Sequence, residues 1–275
     1  MHTVTDGMMG TMQSLGSSVR VRHINCGTFR ARIGGPALVS HVLVCEFEHG
    51  LVLVDSGLGT DDVTHANSRL GAGFRLLLPA LDSAETALDQ LEKFGWTAND
   101  VTDVVLTHLD LDHAGGAADF PSATVHTTAI ELATARTRSG LPAKVRYRPA
   151  HLAAIEHRSV GYVESSGELF RMAGHQLHDS LWLIPMPGHT AGHSAVAIRD
   201  PEHGWLLHAG DAFHHRRAVT GERSGRSISM AEALFADDLK LLRSNQRRLA
   251  ELAASPGGPR VFCAHDPIQF RELTT

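Results

Sequence analysis

Several apolar runs in this sequence stop on a histidine or an aspartate. LVLV ends at Asp55, VVLT at His108, WLLHAG at Asp211 and VFCA at His265, while IPMPG leads into His189. Runs of Val and Leu of this length read as buried strands. Strand ends that project polar side chains into a common rim are a frequent way to assemble a metal or catalytic site. The repetition therefore points to a sheet-based fold in which these ends converge.

The rest of the chain is read around those runs. VRVRHI (19–24), ALVSHVLVCEF (37–47) and LVLVD (51–55) read as strands, with Glu48, His49 and Gly50 turning the last two into a hairpin. Residues 58–80 read as loop, and the apolar spacing from Ser83 to Phe94 predicts a helix with Ser83 as N-cap. DVTDVVL (100–106) and ATVHTT (123–128) are strands, and AIELATARTR (129–138) is a helix. Residues 139–180 carry mixed signals and read as an insertion or lid. LWLIPM (181–186), SAVAIRD (194–200) and GWLLHAGD (204–211) return to strands, followed by one amphipathic helix over 230–254 and a last strand, RVFCA (260–264). No linker or repeat interrupts this order. It predicts an α/β layered sandwich, two packed sheets with helices outside. Residues 1–18 read as a flexible N-terminal arm and 19–275 as a single domain.

Composition removes several function classes. A net charge of -5 gives no electrostatic case for nucleic-acid binding. No stretch approaches the roughly 18 apolar residues of a membrane span. The N-terminus lacks a basic start followed by an apolar run, so a cytoplasmic protein is expected. Three cysteines, Cys26, Cys45 and Cys263, without a CxxC pair argue against a disulfide framework or a thiolate cluster. The 19 histidines are the unusual feature, outnumbering the two tyrosines and three tryptophans together.

Two clusters gather them. THLDLDHAGG (107–116) places His108, Asp110, Asp112 and His113 within six residues, just after a strand. An extended turn leaves alternate side chains on one side, and imidazole with carboxylate suits zinc, iron or manganese. The competing reading is a polar helix N-terminus, where aspartate is favoured by the dipole. PMPGHTAGHS (185–194) holds His189 and His193 among prolines and glycines that exclude a helix; one can be a ligand and the other its support.

HxDxDH at 108–113, GHTAGH at 188–193, GD at 210–211 and AHD at 264–266, in that order, resemble the metallo-β-lactamase superfamily of hydrolases. The resemblance runs from about residue 19 to 267 and includes the Asp55-Ser56-Gly57 strand end. It implies an αββα four-layer sandwich of two mixed sheets flanked by helices, with a two-metal site at the sheet edge. On that pattern His108, Asp110 and His189 hold one metal, Asp112, His113 and His265 hold the other, and Asp211 bridges them. His193 and Asp55 become supporting residues. The commoner motif is HxHxDH, so Asp110 stands where a histidine is usual. Zinc is the leading identity; the shorter, added carboxylate admits an ordinary two-zinc site, a preference for iron or manganese, or a centre occupied mainly at the second metal. On the motif pattern alone, Asp110→His is expected to keep or raise zinc occupancy.

Length and motif set are most similar to the acyl-homoserine-lactone lactonase-like members. The implied chemistry is a metal-bridging hydroxide that opens a lactone or cleaves a related ester, with Asp112 carrying the proton. Many lactonases have a tyrosine three residues after the bridging aspartate; here it is His214, cast as donor to the substrate carbonyl. The basic run HHRRAVTGERSGRS (214–227) reads either as a solvated loop or, with Arg146, Arg148 and Arg158, as a grip on an anionic substrate. The alternatives are a phosphodiester or organophosphate hydrolase on the same site, or a non-hydrolytic iron-binding redox member. The resemblance also leads to the expectation of a homodimer.

Overall fold

The computed structural model describes residues 19–30, 37–74, 79–222 and 226–275. The expected arm at 1–18 lies outside the described residues. Strands β1 (Arg20–Phe29), β2 (Leu38–Phe47), β3 (Gly50–Val54), β4 (Val101–Val105), β5 (Thr124–Thr128) and β6 (Ser159–Tyr162) form one six-stranded sheet in that order. Strands β7 (Gly167–Leu169), β8 (Met172–His178), β9 (Leu181–Pro185), β10 (Ser194–Asp200), β11 (Gly204–His208) and β12 (Arg260–Phe262) form the second. Both sheets are mixed. β3 to β6 run parallel after an antiparallel β1–β2–β3 meander, and β12 runs parallel to β11 beside an antiparallel meander.

Burial on both faces explains why these strands read as near-continuous apolar runs. In β2 and β3, Leu43, Cys45, Val52 and Val54 face Leu183, Val196, Ile198 and Phe262 of the other sheet. Their neighbours Val42, Val44, Leu51 and Leu53 face outward onto Leu91, Leu132 and Tyr147. On the second sheet, Trp182, Ile184, Ala195 and Ala197 pack outward with Leu249. The result is the four-layer αββα sandwich, with the helices Ala87–Lys93 and Ala129–Thr137 on one outside and Leu239–Ala254 on the other. All three cysteines are buried and unbonded, Cys26, Cys45 and Cys263 each serving as a small apolar side chain. Among the described residues, no helix is long and apolar enough to cross a membrane.

The structure departs from the sequence expectations in four places. Residues 139–180 are no lid: after two helices, Gly140–Arg146 and Pro149–Ile155, they supply β6, β7 and β8, which complete both sheets. Part of the expected 58–80 loop is helical, at Thr60–Thr64, Ala66–Arg69 and Gly71–Phe74. Buried Asp62 organises it by accepting from Gly59 N (3.0 Å), Arg69 Nε (2.7 Å) and His151 Nε2 (2.7 Å). The helix expected from Ser83 begins as a 3-10 turn, and the α-helix starts after Thr86, whose hydroxyl caps Asp89 N. The long helix expected over 230–254 divides into Arg226–Phe235 and Leu239–Ala254, because Asp238 caps Leu241 N and restarts it. That break matters to the site. Asp237 N and Asp238 N donate to the carbonyls of His189 and Gly188, clasping the loop that carries His189.

Candidate metal centre

β3, β4, β9, β11 and β12 all finish at the same edge of the sandwich, and the loops leaving them carry the polar cluster. Asp55 follows β3 with φ 57, an uncommon backbone for a non-glycine residue. The conformation turns its carboxylate onto the end of β4. Oδ1 accepts from Thr107 N (2.8 Å) and Thr107 Oγ1 (3.0 Å), and Oδ2 receives His113 Nδ1–H (2.8 Å). Burial raises the Asp55 carboxyl, and the His113 imidazole outweighs it to leave the net shift downward. His113 is thereby fixed with Nε2 pointing away from Asp55, the arrangement by which carboxylates orient metal-binding histidines.

The 107–116 segment takes neither of the two shapes expected of it in pure form. His108 and Leu109 belong to no regular element, Asp110 is extended and occupies the N-cap position, and Leu111–Ala114 is one helical turn. Asp110 makes no capping hydrogen bond. Gly116 lies so close to the β3 end that a Cβ there would meet Ser56 O at 2.3 Å, which is why the motif ends in glycine.

A second buried carboxylate, Glu131, holds the two cluster loops together. It accepts from Leu109 N (2.9 Å) and Tyr147 Oη (3.2 Å) on one side, and from Thr190 Oγ1 (2.7 Å) and Gly192 N (3.2 Å) on the other. His193 has both ring nitrogens committed to backbone, Nδ1 to Met186 O (3.0 Å) and Nε2 to Asp211 N (3.0 Å). It positions Asp211 and has no lone pair left for a metal. His265 donates from Nδ1 to Val39 O (2.7 Å), leaving Nε2 beside Asp211 Oδ1 at 3.1 Å.

Eight residues singled out from the sequence meet here. Ligand atoms of His108, Asp110 and His189 lie within 4.8 Å of one another, as do those of Asp112, His113 and His265. Asp211 joins His108 and His113 in one group and His189 and His214 in another, on the same criterion of 4.8 Å. His108 Nε2, His113 Nε2 and Asp211 Oδ1 are buried without a hydrogen-bond partner. Such atoms are costly in a folded interior unless something else satisfies them. A mixed imidazole and carboxylate set with free lone pairs fits a divalent cation.

His214 stacks on His265, with ring centroids 5.4 Å apart, and its Nε2 lies 3.2 Å from Asp211 Oδ2. Burial opposes a charge on this ring; Asp211, followed by Glu232, pushes it up to about 10. Glu232 also accepts from His214 N (3.1 Å) and pairs with Arg243 at 2.6 Å.

The arginines expected to grip an anion are already engaged. Arg148 donates to Arg69 O, and Arg158 to the carbonyls of Ala123 and Ala117. Arg216 pairs with Asp266 (3.3 Å) and Arg217 with Glu222 (3.0 Å). Residues 223–225 of the basic run lie outside the described residues. Arg146 is the residue sequence reasoning misplaced: only 8% exposed, it forks onto Asp110. Glu131 gave one weak signal, the Thr128-x-x-Glu131 spacing of a capping box. The structure sends its carboxylate between the two cluster loops instead.

The profile described as Metallo-beta-lactamase superfamily matches residues 34–265. A "Probable metallo-hydrolase" of Mycobacterium tuberculosis is 41% identical over 280 residues, covering 98% of this chain and 87% of its own. An N-acyl homoserine lactonase of Bacillus cereus is 26% identical over 222 residues, covering 80% of this chain and 78% of its own. The solved structure of an N-acyl homoserine lactone hydrolase with N-hexanoyl-L-homoserine at its catalytic metal centre superposes with a TM-score of 0.68. At 20% identity, over 93% of this chain and 96% of that one, the likeness is one of fold.

Proposed function

The chain belongs to the metallo-beta-lactamase superfamily, and from that premise we propose that this metallo-hydrolase opens a lactone or cleaves a related ester, with residues 19–275 as its catalytic domain. The observation that carries the reading is the set of buried, unpartnered donor atoms at the strand ends, His108 Nε2, His113 Nε2 and Asp211 Oδ1. His108, Asp110 and His189 would hold one divalent ion, Asp112, His113 and His265 a second, and Asp211 both. Zinc suits this nitrogen and oxygen set. When bound, the ions supply Lewis acidity and a water made acidic enough to act as nucleophile near neutral pH.

The chain's own groups do the remaining work. Asp55 fixes the tautomer of His113, and Val39 O fixes that of His265, so each presents Nε2 to the centre. Asp112, with its side chain 15% exposed, reaches both the centre and solvent and moves the proton from water to the leaving oxygen. His214, 16% exposed at the side chain and held by Glu232, donates to the substrate carbonyl. The lactone preference is supported by the likeness to the B. cereus lactonase.

The test is a panel of lactone, thioester, phosphodiester and phosphotriester substrates against protein of measured metal content. Lactone turnover that scales with zinc and is lost in Asp112→Asn is expected. Turnover of phosphoesters alone would move the site to a different substrate class. Iron content with oxygen consumption would overturn the hydrolytic reading.

A further inference from the structure

Asp110 raises a question that the donor set alone does not answer: why a carboxylate stands where this motif usually has an imidazole. The structure supplies a partner for it. Arg146, at the end of the helix Gly140–Arg146, turns its guanidinium inward and places Nε 2.9 Å and Nη2 2.8 Å from the two Asp110 oxygens. Nη2 also donates to His189 Nε2 at 2.5 Å. Nη1 is occupied by Phe235 O (2.8 Å) and His189 O (3.1 Å). Every nitrogen of this buried cation therefore has a protein acceptor, and two of those acceptors are donor atoms of the first metal position.

The conflict is specific to atoms. Asp110 Oδ2 lies 3.4 Å from His108 Nε2 and 3.1 Å from His189 Nε2, the triangle that would enclose an ion. A carboxylate oxygen has lone pairs for both a guanidinium and a metal. The Nε2 of a neutral imidazole has one lone pair, and here an arginine N–H takes it. An ion entering this triangle must displace Nη2 from His189 while the guanidinium, always charged, stays nearby. Nothing comparable guards the other position. His113 Nε2 is unpartnered, His265 Nε2 faces only carboxylates, and no arginine or lysine contacts Asp112 among the described residues.

We propose that Arg146 sets the order in which the centre fills. Its guanidinium acts as a resident cation in the His108, Asp110, His189 position, so an ion binds first at Asp112, His113 and His265 and more weakly beside Arg146. Asp110 and Arg146 are a matched pair. A histidine at 110 would leave the guanidinium with imidazoles on two sides and only the more exposed Asp237, 3.4 Å from Nη1, as counter-charge. The planar fork makes arginine, rather than lysine, the side chain for the place. The inference rests on the two-position reading above and concerns the relative strength of those positions.

Metal-free protein titrated with Zn²⁺, and in parallel with Co²⁺ followed by its visible spectrum, tests it by stoichiometry and affinity. Two unequal equivalents are expected, separated by about 10–100-fold, the range over which neighbouring groups shift metal affinity. Arg146→Met and Arg146→Gln should close most of that gap by tightening the weaker equivalent. Should those variants not fold, ligand deletions in the native-arginine background decide it. His265→Ala must remove the tight equivalent, and His189→Ala must spare it. Equal affinities in the unaltered chain, an unchanged gap in folded Arg146 variants, or loss of the tight equivalent in His189→Ala each overturn the proposal. A chain that takes up neither ion at all overturns the metal reading itself, which is a different result.

Discussion

The two halves of the centre draw on the same residue types, yet different groups stand behind them. Behind His113 is a carboxylate, Asp55, whose hydrogen bond leaves the nitrogen that faces the cluster free. Beside His189 is a guanidinium, Arg146, whose hydrogen bond takes that nitrogen up. The contrast also appears in the electrostatics. Burial opposes a charge on His113, but Asp211 and Asp55 raise it well above its ordinary value. Burial and then Arg146 push His189 down to about 3. One half is thus arranged to attract a cation and the other already contains one. Ligand identity alone does not define a metal position; the groups that orient the ligands decide how available their lone pairs are.

The largest effect is expected where the halves share a residue. Asp211 lies 3.3 Å from His113 Nε2 and 3.4 Å from His189 Nε2. Asp211→Ala should empty both positions and lower hydrolysis by more than about 100-fold, the upper end of what an outer neighbour costs. Elemental analysis beside turnover measures it. Retention of one full equivalent would mean that the halves are independent sites, and the comparison would need recasting.

Next in size is the cost of separating Asp110 from Arg146. Asp110→Asn removes the short buried partner of the guanidinium and leaves only the more exposed Asp237 at 3.4 Å; breaking a buried pair typically costs about 3–5 kcal/mol. In a chain of this size the metal-free protein should melt roughly 6–20 °C lower. Asp112→Asn, which separates no buried arginine from its partner, should move the melting temperature far less. Asp110→His, which the motif pattern alone favours as restoring a ligand, is now expected to fall with Asp110→Asn. Thermal denaturation of the three metal-free variants separates these outcomes.

The same contrast shows how far the sequence could be read. Strand ends at Asp55, His108, Asp211 and His265 were legible because their apolar runs are buried on both faces, and such runs announce themselves. The histidines and aspartates between them were legible as a group through motif order. Arg146 was not, since an arginine in a stretch of mixed pattern reads as surface charge. Only the folding of 139–180 into helices and completing strands brings it 36 residues back onto Asp110. Glu131 was hidden for a related reason: a glutamate in the first turn of a helix is ordinary. The helix break at 236–238 was invisible to periodicity, because both segments keep an apolar face and only the Asp238 cap separates them.

Asp55→Asn probes the other half alone. The amide can still accept from Thr107, but it loses the charge that favours and orients His113. Affinity at the Asp112, His113, His265 position should drop about 10–100-fold, with the position beside Arg146 little changed. Calorimetric titration of the metal-free variant reads both constants. An equal loss at the two positions would show that Asp55 acts through the fold as a whole and not through His113.

The smallest effect is expected outside both halves, in the basic run that follows Asp211. Arg217, 46% exposed at the side chain, pairs with the still more exposed Glu222. Exposed pairs of this kind contribute little and are screened by salt. Arg217→Ala should therefore change KM for an anionic ester by less than about two-fold, and KM for a neutral lactone no more than that. The two substrates are compared at low and at physiological ionic strength. A ten-fold rise in KM confined to the anionic ester at low salt would show that this segment reads substrate charge. Selectivity would then reside partly in the loop, and the asymmetry of the two halves would govern metal loading alone.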